Sequence, residues 1–314
     1  MKLFVVQIQK NSIILIFFIL INSNAMLLFA QQMIQKDTSY TIHSEYIKQK
    51  RKYPQITIVK PDTTKNTITV THNIIYNKKN NKPLHLDAYY FKSKDKLPAV
   101  FLIHGGGWKS GNKSMLQPLA QSISKKRYQC FSIEYSLSNE AKYPQSIDDI
   151  LEAITFVKKE AAKFSVDTSK TVILGCSSGG QMASLIGTKY PKKIQAIVNL
   201  DGILAFHHPE SKEGKLASKW LGGTYEEKPE VWQEASALSH VNENTPPILF
   251  INSQFERFHA GRDDMIQILN QYHIYNQIKQ IENSPHTFWL FHPWFNETTI
   301  CITQFLDKFF KSNP

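Results

Sequence analysis

Short apolar runs alternate along this chain with segments in which apolar residues recur at helical spacing. Residues 98–103 (Pro-Ala-Val-Phe-Leu-Ile), 172–174 (Val-Ile-Leu) and 248–251 (Ile-Leu-Phe-Ile) are unbroken apolar stretches, as expected of strands covered on both faces. Residues 128–135 and 194–200 read as two further strands. Between these runs, Ile147, Ile150, Leu151, Ile154 and Val157 form one helical stripe, with Asp148 and Asp149 in the first turn. Met182, Leu185 and Ile186 mark a second helix, Met265, Ile268, Leu269 and Tyr272 a third, and Ile302, Phe305, Leu306 and Phe309 a last one. Strands separated by helices predict a mostly parallel sheet with helices on both faces, the α/β class. Residues 68–71 and 84–90 flank a polar stretch at 77–82 and predict an antiparallel hairpin at the start of the domain, and residues 277–281 predict a short strand near its end.

The pattern breaks in three places. Residues 1–30 carry Lys2 and Lys10 ahead of an apolar run at 13–21, with Ala30-Gln31 after a second apolar patch, and read as a secretory signal peptide rather than a retained anchor. The expected localisation is secreted or periplasmic, without stable membrane insertion after cleavage. Residues 31–66 are polar, contain Pro54 and Pro61, show no sustained periodicity and read as an extended arm. The domain proper then covers 67–314, interrupted at about 202–245 by a strand-free insertion with Gly222, Gly223, Trp220 and Trp232, where a lid or substrate wall is expected.

Charge and cysteine content narrow the picture only a little. The chain has 37 Lys and Arg against 26 Asp and Glu, a formal charge of +11. That surplus favours anionic partners in general. The lysines are scattered, however, and neither a nucleic-acid module nor a phosphate-binding glycine loop of Walker type is present, so no nucleic-acid partner is expected. Three cysteines cannot all pair within one chain; Cys130, in a strand-like run, and Cys176 read as buried free thiols. His207-His208 lack acidic or cysteine partners at ligand spacing, and neither a metal nor a cofactor is inferred.

Two glycine clusters carry the chemistry. Gly175-Cys176-Ser177-Ser178-Gly179-Gly180 follows an apolar strand and opens a helix, the G-x-S-x-G spacing of a nucleophile elbow centred on Ser177. Alone, the pattern also fits an ordinary tight turn. About seventy residues earlier, His104-Gly105-Gly106-Gly107-Trp108 closes another strand, in the place that supplies backbone N–H groups to an oxyanion hole. Gly106, Gly107 and Ser178 are the candidate donors. A serine hydroxyl needs a base; the α/β-hydrolase superfamily, which these two clusters resemble, carries its histidine in the loop after the last strand, where of eleven histidines only His286 lies, while His292, among aromatic residues, reads as packing or substrate lining.

These motifs, with Tyr143-Pro144 before Asp148, Thr245-Pro246-Pro247 before a strand, and Pro285-His286, resemble the α/β-hydrolase superfamily. Within it, they are similar to esterases of the hormone-sensitive-lipase and feruloyl or acetylxylan esterase type. The resemblance runs from about Leu84 to the C-terminus and implies the order serine, acid, histidine. It places the acid after the strand ending at Asn252, where register nominates Glu256, with Asp263 as the alternative; Asp263 and Asp264 also suit a helix N-terminus. Trp108 and Arg257 are expected to touch substrate, and Arg257 or Arg262 has the chemistry to bind a uronate carboxylate. The implied function is a secreted serine esterase that forms an acyl-enzyme and removes acetyl or similar small acyl groups from plant cell-wall carbohydrate, xylan or pectin. Its partners are then a small ester or an acylated polysaccharide or oligosaccharide. An exopeptidase on the same fold and a catalytically silent binding protein are the rival readings.

Overall fold

A computed structural model describes residues 37, 39–64, 68–79 and 82–311; the expected signal peptide lies outside these residues. An eight-stranded sheet organises them in the order β2-β3-β5-β4-β6-β7-β8-β9. Its strands are β2 (Thr69–Lys79), β3 (Lys82–Tyr90), β4 (Leu97–Ile103), β5 (Gln129–Ile133), β6 (Val166–Cys176), β7 (Ala196–Leu200), β8 (Ile248–Asn252) and β9 (Asn276–Gln280). Only the β2–β3 and β3–β5 pairings are antiparallel; the rest are parallel. The predicted hairpin is longer than its apolar residues, because polar positions 77–79 and 82 continue the ladder.

The apolar runs become strands because both faces are covered. In β4, Phe101 and Ile103 face one core while Val100 and Leu102 face the other, and β6, β7 and β8 alternate in the same way. Helices α3 (Gln145–Lys159), α4 (Ser178–Lys189) and α7 (Arg262–Gln271) cover the first face with Ile150, Ile154, Met182, Leu185 and Leu269. Helices α2 (Gln117–Ser124) and α8 (Trp294–Phe310) cover the second with Leu119, Ile123, Ile302 and Leu306. Cys130, Cys176 and Cys301 are free and buried on that second side, where loss of water pushes the Cys130 thiol up to about 12 and the Cys176 thiol well above its usual range. Cys176 is thereby removed as a nucleophile beside Ser177.

The segment before the sheet differs from the expected extended arm. Helix α1 (Ile42–Lys50) starts with a capping box between Thr41 and Ser44 and shows little apolar stripe, which is why periodicity did not reveal it. The chain then runs through β1 (Thr57–Ile58), which pairs antiparallel with β10 (Phe291–His292). Tyr53, Ile56 and Val59 are buried in the second core, so this stretch packs as part of the same unit as the sheet. The insertion after β7 holds two short helices, α5 (Gly214–Leu221) and α6 (Pro229–Glu234). Trp108, Phe206 and Trp220 pack ring on ring beneath it, with Trp108 and Trp220 stacked 5.4 Å apart. Among the described residues, no helix is long and apolar enough to cross a membrane.

The sheet brings two backbones unusually close at its carboxyl end. A methyl group added to Gly179 would lie 2.2 Å from the Ile103 carbonyl oxygen, and one added to Gly175 would lie 1.9 Å from that of Gly179. Gly179→Ala is therefore expected to lower stability by about 2 kcal/mol or more, measured from urea midpoints. Gly214→Ala, at a helix start where an added methyl meets nothing within 4 Å, is the control and leaves the midpoint unchanged or slightly raised.

Candidate active site

Ser177 occupies the turn between β6 and α4 with φ 56° and ψ −125°, a conformation that a residue with a side chain holds only when its surroundings impose it. The close passage of Gly175 and Gly179 imposes it from one side. From the other, the Ser177 N–H donates to the Leu200 carbonyl at 2.8 Å, tying the turn to the end of β7. The serine Oγ then projects 2.8 Å from Nε2 of His286. His286 follows β9 in a loop held at its base by the β1–β10 pairing, and its ring lies flat on Phe258, 3.4 Å away.

Behind His286 stands Asp201, not Glu256 or Asp263. Asp201 Oδ2 is 2.9 Å from His286 Nδ1. A carboxylate only accepts, so Nδ1 carries the proton and Nε2 is left to accept from the Ser177 hydroxyl. Glu256 is exposed on a single helical turn after β8. Asp263 is exposed at the start of α7, where the hydrogen bond from Arg262 Nε, at 2.8 Å, holds its carboxyl below the usual range. The turn after β8 supplies donors to the acid instead of the acid itself. Ser253 N–H donates to Asp201 Oδ1 at 2.8 Å, and His259 Nε2 lies 3.2 Å from the same oxygen. Arg262 Nη1, 3.3 Å from His259 Nδ1 and 3.0 Å from Asn252 Oδ1, sets the orientation of that second histidine.

Asp201 is fully enclosed, and burial pushes its carboxyl upward. The hydrogen bonds from His259 and His286, the charge of His286 and the Ser253 side chain outweigh that penalty and bring it down to about 2. Like Ser177, Asp201 has a positive φ, 50°. The Asn199 side chain fixes the turn by accepting from Gly202 N–H at 2.7 Å and donating to the Gly202 carbonyl at 2.9 Å. The sequence signal for Asp201, an acid directly after an apolar strand and before a glycine, is one that ordinary strand-to-loop turns share.

The remaining predicted residues surround Ser177. Gly106 and Gly107 have φ of 129° and 58°, which suit glycine, and line the cleft in front of Ser177. Ser178 opens α4, where a helix leaves its first amides without internal acceptors. Gly107, Trp108, Ser178, Gln181, Ile203 and Phe258 enclose a cavity of about 20 Å³ beside the serine. Trp108 is a buried wall residue whose indole N–H donates to Gln181 Oε1 at 2.9 Å. Arg257 stands at the cleft, half exposed, over the Phe258 ring. His292 is engaged in β10 and packs edge-on against Phe295. His207 stacks on Tyr225, and His208 bonds Asp264 at 3.0 Å.

The BD-FAE family model matches residues 86–271, more than half of the chain. The chain belongs to the BD-FAE family. The family match ends before His286, so that histidine rests on geometry. Esterase LipC of Mycobacterium tuberculosis is 26% identical over 204 residues, covering 58% of this chain and 49% of LipC. The probable carboxylic ester hydrolase LipM from the same organism is 22% identical, covering 64% of this chain and 50% of LipM. The chain thus spans about half the length of these curated relatives. A solved truncated carbohydrate esterase from gut microbiota aligns with TM-score 0.64 at 20% identity, over 78% of this chain and 99% of that one. Est2 of the Planctomycetes species Thermogutta terrifontis aligns with TM-score 0.64 at 19% identity, over 82% of this chain and 98% of that one. Together with the BD-FAE match, these likenesses establish the α/β-hydrolase fold.

Because Asp201 ionises more readily folded than unfolded, its charge stabilises the BD-FAE domain above about pH 4, and the benefit fades as pH falls toward about 2. The contribution is about 2 kcal/mol. Urea midpoints of Asp201→Asn and the parent are expected to differ most near neutrality and to converge between about pH 4 and pH 2. A difference independent of pH contradicts this assignment.

Proposed function

We propose that this chain is a secreted serine esterase that removes acetyl or similarly small acyl groups from plant cell-wall carbohydrate. The observation that carries the reading is the continuous hydrogen-bonded line from Ser177 Oγ through His286 to Asp201. In it, His286 Nε2 takes the hydroxyl proton as Ser177 attacks the ester carbonyl, and Asp201 stabilises the imidazolium that forms. Amides of Gly106, Gly107 and Ser178 receive the developing oxyanion. His286 then gives its proton to the departing alcohol, leaving an acyl-Ser177, and activates the water that releases the acid.

The small-acyl preference rests on the cavity beside Ser177, whose volume of about 20 Å³ suits a methyl-sized group. The carbohydrate assignment draws on the open cleft of about 300 Å³ that also reaches the serine, lined by Ser39, Ser110, Thr287 and charged residues, and on the carbohydrate esterase among the fold relatives. Export is inferred from Lys2, Lys10 and the apolar run at 13–21.

On 4-nitrophenyl acetate, Ser177→Ala and Asp201→Asn are each expected to lower kcat by about a thousandfold or more. Glu256→Gln and Asp263→Asn stay within about threefold of the parent. Full activity in Ser177→Ala, or a thousandfold loss in Glu256→Gln with Asp201→Asn active, overturns the scheme.

A further inference from the structure

The +11 surplus of the whole chain is absent from the cleft where the alcohol half of a substrate would lie. Three cations line it, Lys48, Lys109 and Arg257. Each stands beside an acid: Lys48 is 3.3 Å from Glu45, Lys109 is 3.4 Å from Asp37, and Arg257 Nη1 is 3.6 Å from Glu213. A carboxylate entering this cleft meets cations that each already have a neighbouring counter-charge, and it meets two acids already in the wall.

Those two acids differ. Glu45 has donors from Gln49 Nε2 at 3.3 Å and from Thr287 Oγ1 at 3.4 Å. Glu213 belongs to the walls of both the small cavity and the cleft, immediately before α5, whose Leu216 lies over Gly107. Its Oε1 is buried and has no hydrogen bond, and Arg257 at 3.6 Å balances the charge from beyond hydrogen-bonding range. A buried acceptor without a donor is unfavourable until a ligand supplies one. Lying where the acyl and alcohol spaces meet, Glu213 is placed for a hydroxyl near the ester bond.

We propose that Glu213 is a specificity-determining acceptor for a hydroxyl of the substrate's alcohol half, and that the site selects esters of neutral polyhydroxylated alcohols over esters of uronic acids. The proposal rests on the serine-esterase reading above and narrows its substrate class to neutral sugars, against the uronate role first drawn for Arg257 and Arg262.

The test compares three substrates: 4-nitrophenyl acetate, which has no hydroxyl, monoacetylated methyl xylopyranoside, and a monoacetylated methyl glucuronide. The parent enzyme is expected to prefer the xyloside to the glucuronide. In Glu213→Leu and Glu213→Gln, the ratio of kcat/KM for the xyloside to that for the aryl ester falls by about ten- to a hundredfold. The preference for xyloside over glucuronide narrows in the same variants. Aryl acetate turnover reports that each variant is folded, and if one variant is inactive the other carries the comparison. A ratio unchanged from the parent, a parallel loss on both substrates, or a parent that prefers the glucuronide overturns the role of Glu213 while leaving the esterase reading intact. A folded parent that turns over none of the three overturns both.

Discussion

A carboxylate removed from water has to be satisfied by the protein around it, and much of this site can be traced to how Asp201 meets that requirement. Its two oxygens draw donors from three places in the chain: the amide after β8, the histidine ahead of α7, and His286 after β9. The first two lie in the turn after β8 and the third in the loop after β9, so the demands of one buried charge draw the ends of β7, β8 and β9 together. The turn that holds Asp201 accepts the Ser177 amide at its strand end. Ser177, His286 and Asp201 are therefore held by one connected set of hydrogen bonds, and both Ser177 and Asp201 keep positive φ values that an isolated turn would relax.

The glycine clusters were readable because their chemistry is local. Gly175 and Gly179 are required by contacts with backbone atoms a few residues away or on the adjacent strand, and such requirements leave a spacing in sequence. His286 is legible through the resemblance, as the histidine in the loop after the last predicted strand. Asp201 is not, because a single acid before a glycine looks like any strand-to-loop turn, and the resemblance implies an acid in the turn after β8. That turn does serve the acid, through Ser253 and His259, but from the opposite side of the hydrogen bond. Helix α1 was missed for a different reason. It is held by a capping box and by the burial of residues that follow it, and its own sequence lacks the apolar stripe from which helices are read.

Two additions to the central sheet shape the approach to Ser177. The N-terminal stretch clamps the His286 loop through β1 and β10 and contributes Tyr40, Glu45 and Lys48 to the cleft. The insertion after β7 is pinned by Trp220 stacking on Trp108 and by the Trp220 indole, which donates to Ser146 Oγ at 3.1 Å. Both lie outside the strand-and-elbow framework that sets the chemistry. Trp108 and Phe258 wall the small cavity beside Ser177, whereas the additions supply many of the side chains of the open cleft. This division lets the reacting groups stay fixed while substrate preference is set elsewhere.

The central claim is that His286 and Asp201 make Ser177 a nucleophile. Treating the intact protein with a fluorophosphonate and mapping the product by mass spectrometry tests it directly, because the reagent is attacked only by an activated serine. The account predicts one adduct, on Ser177. An unlabelled protein, or an adduct on Ser178 with Ser177 untouched, would contradict it.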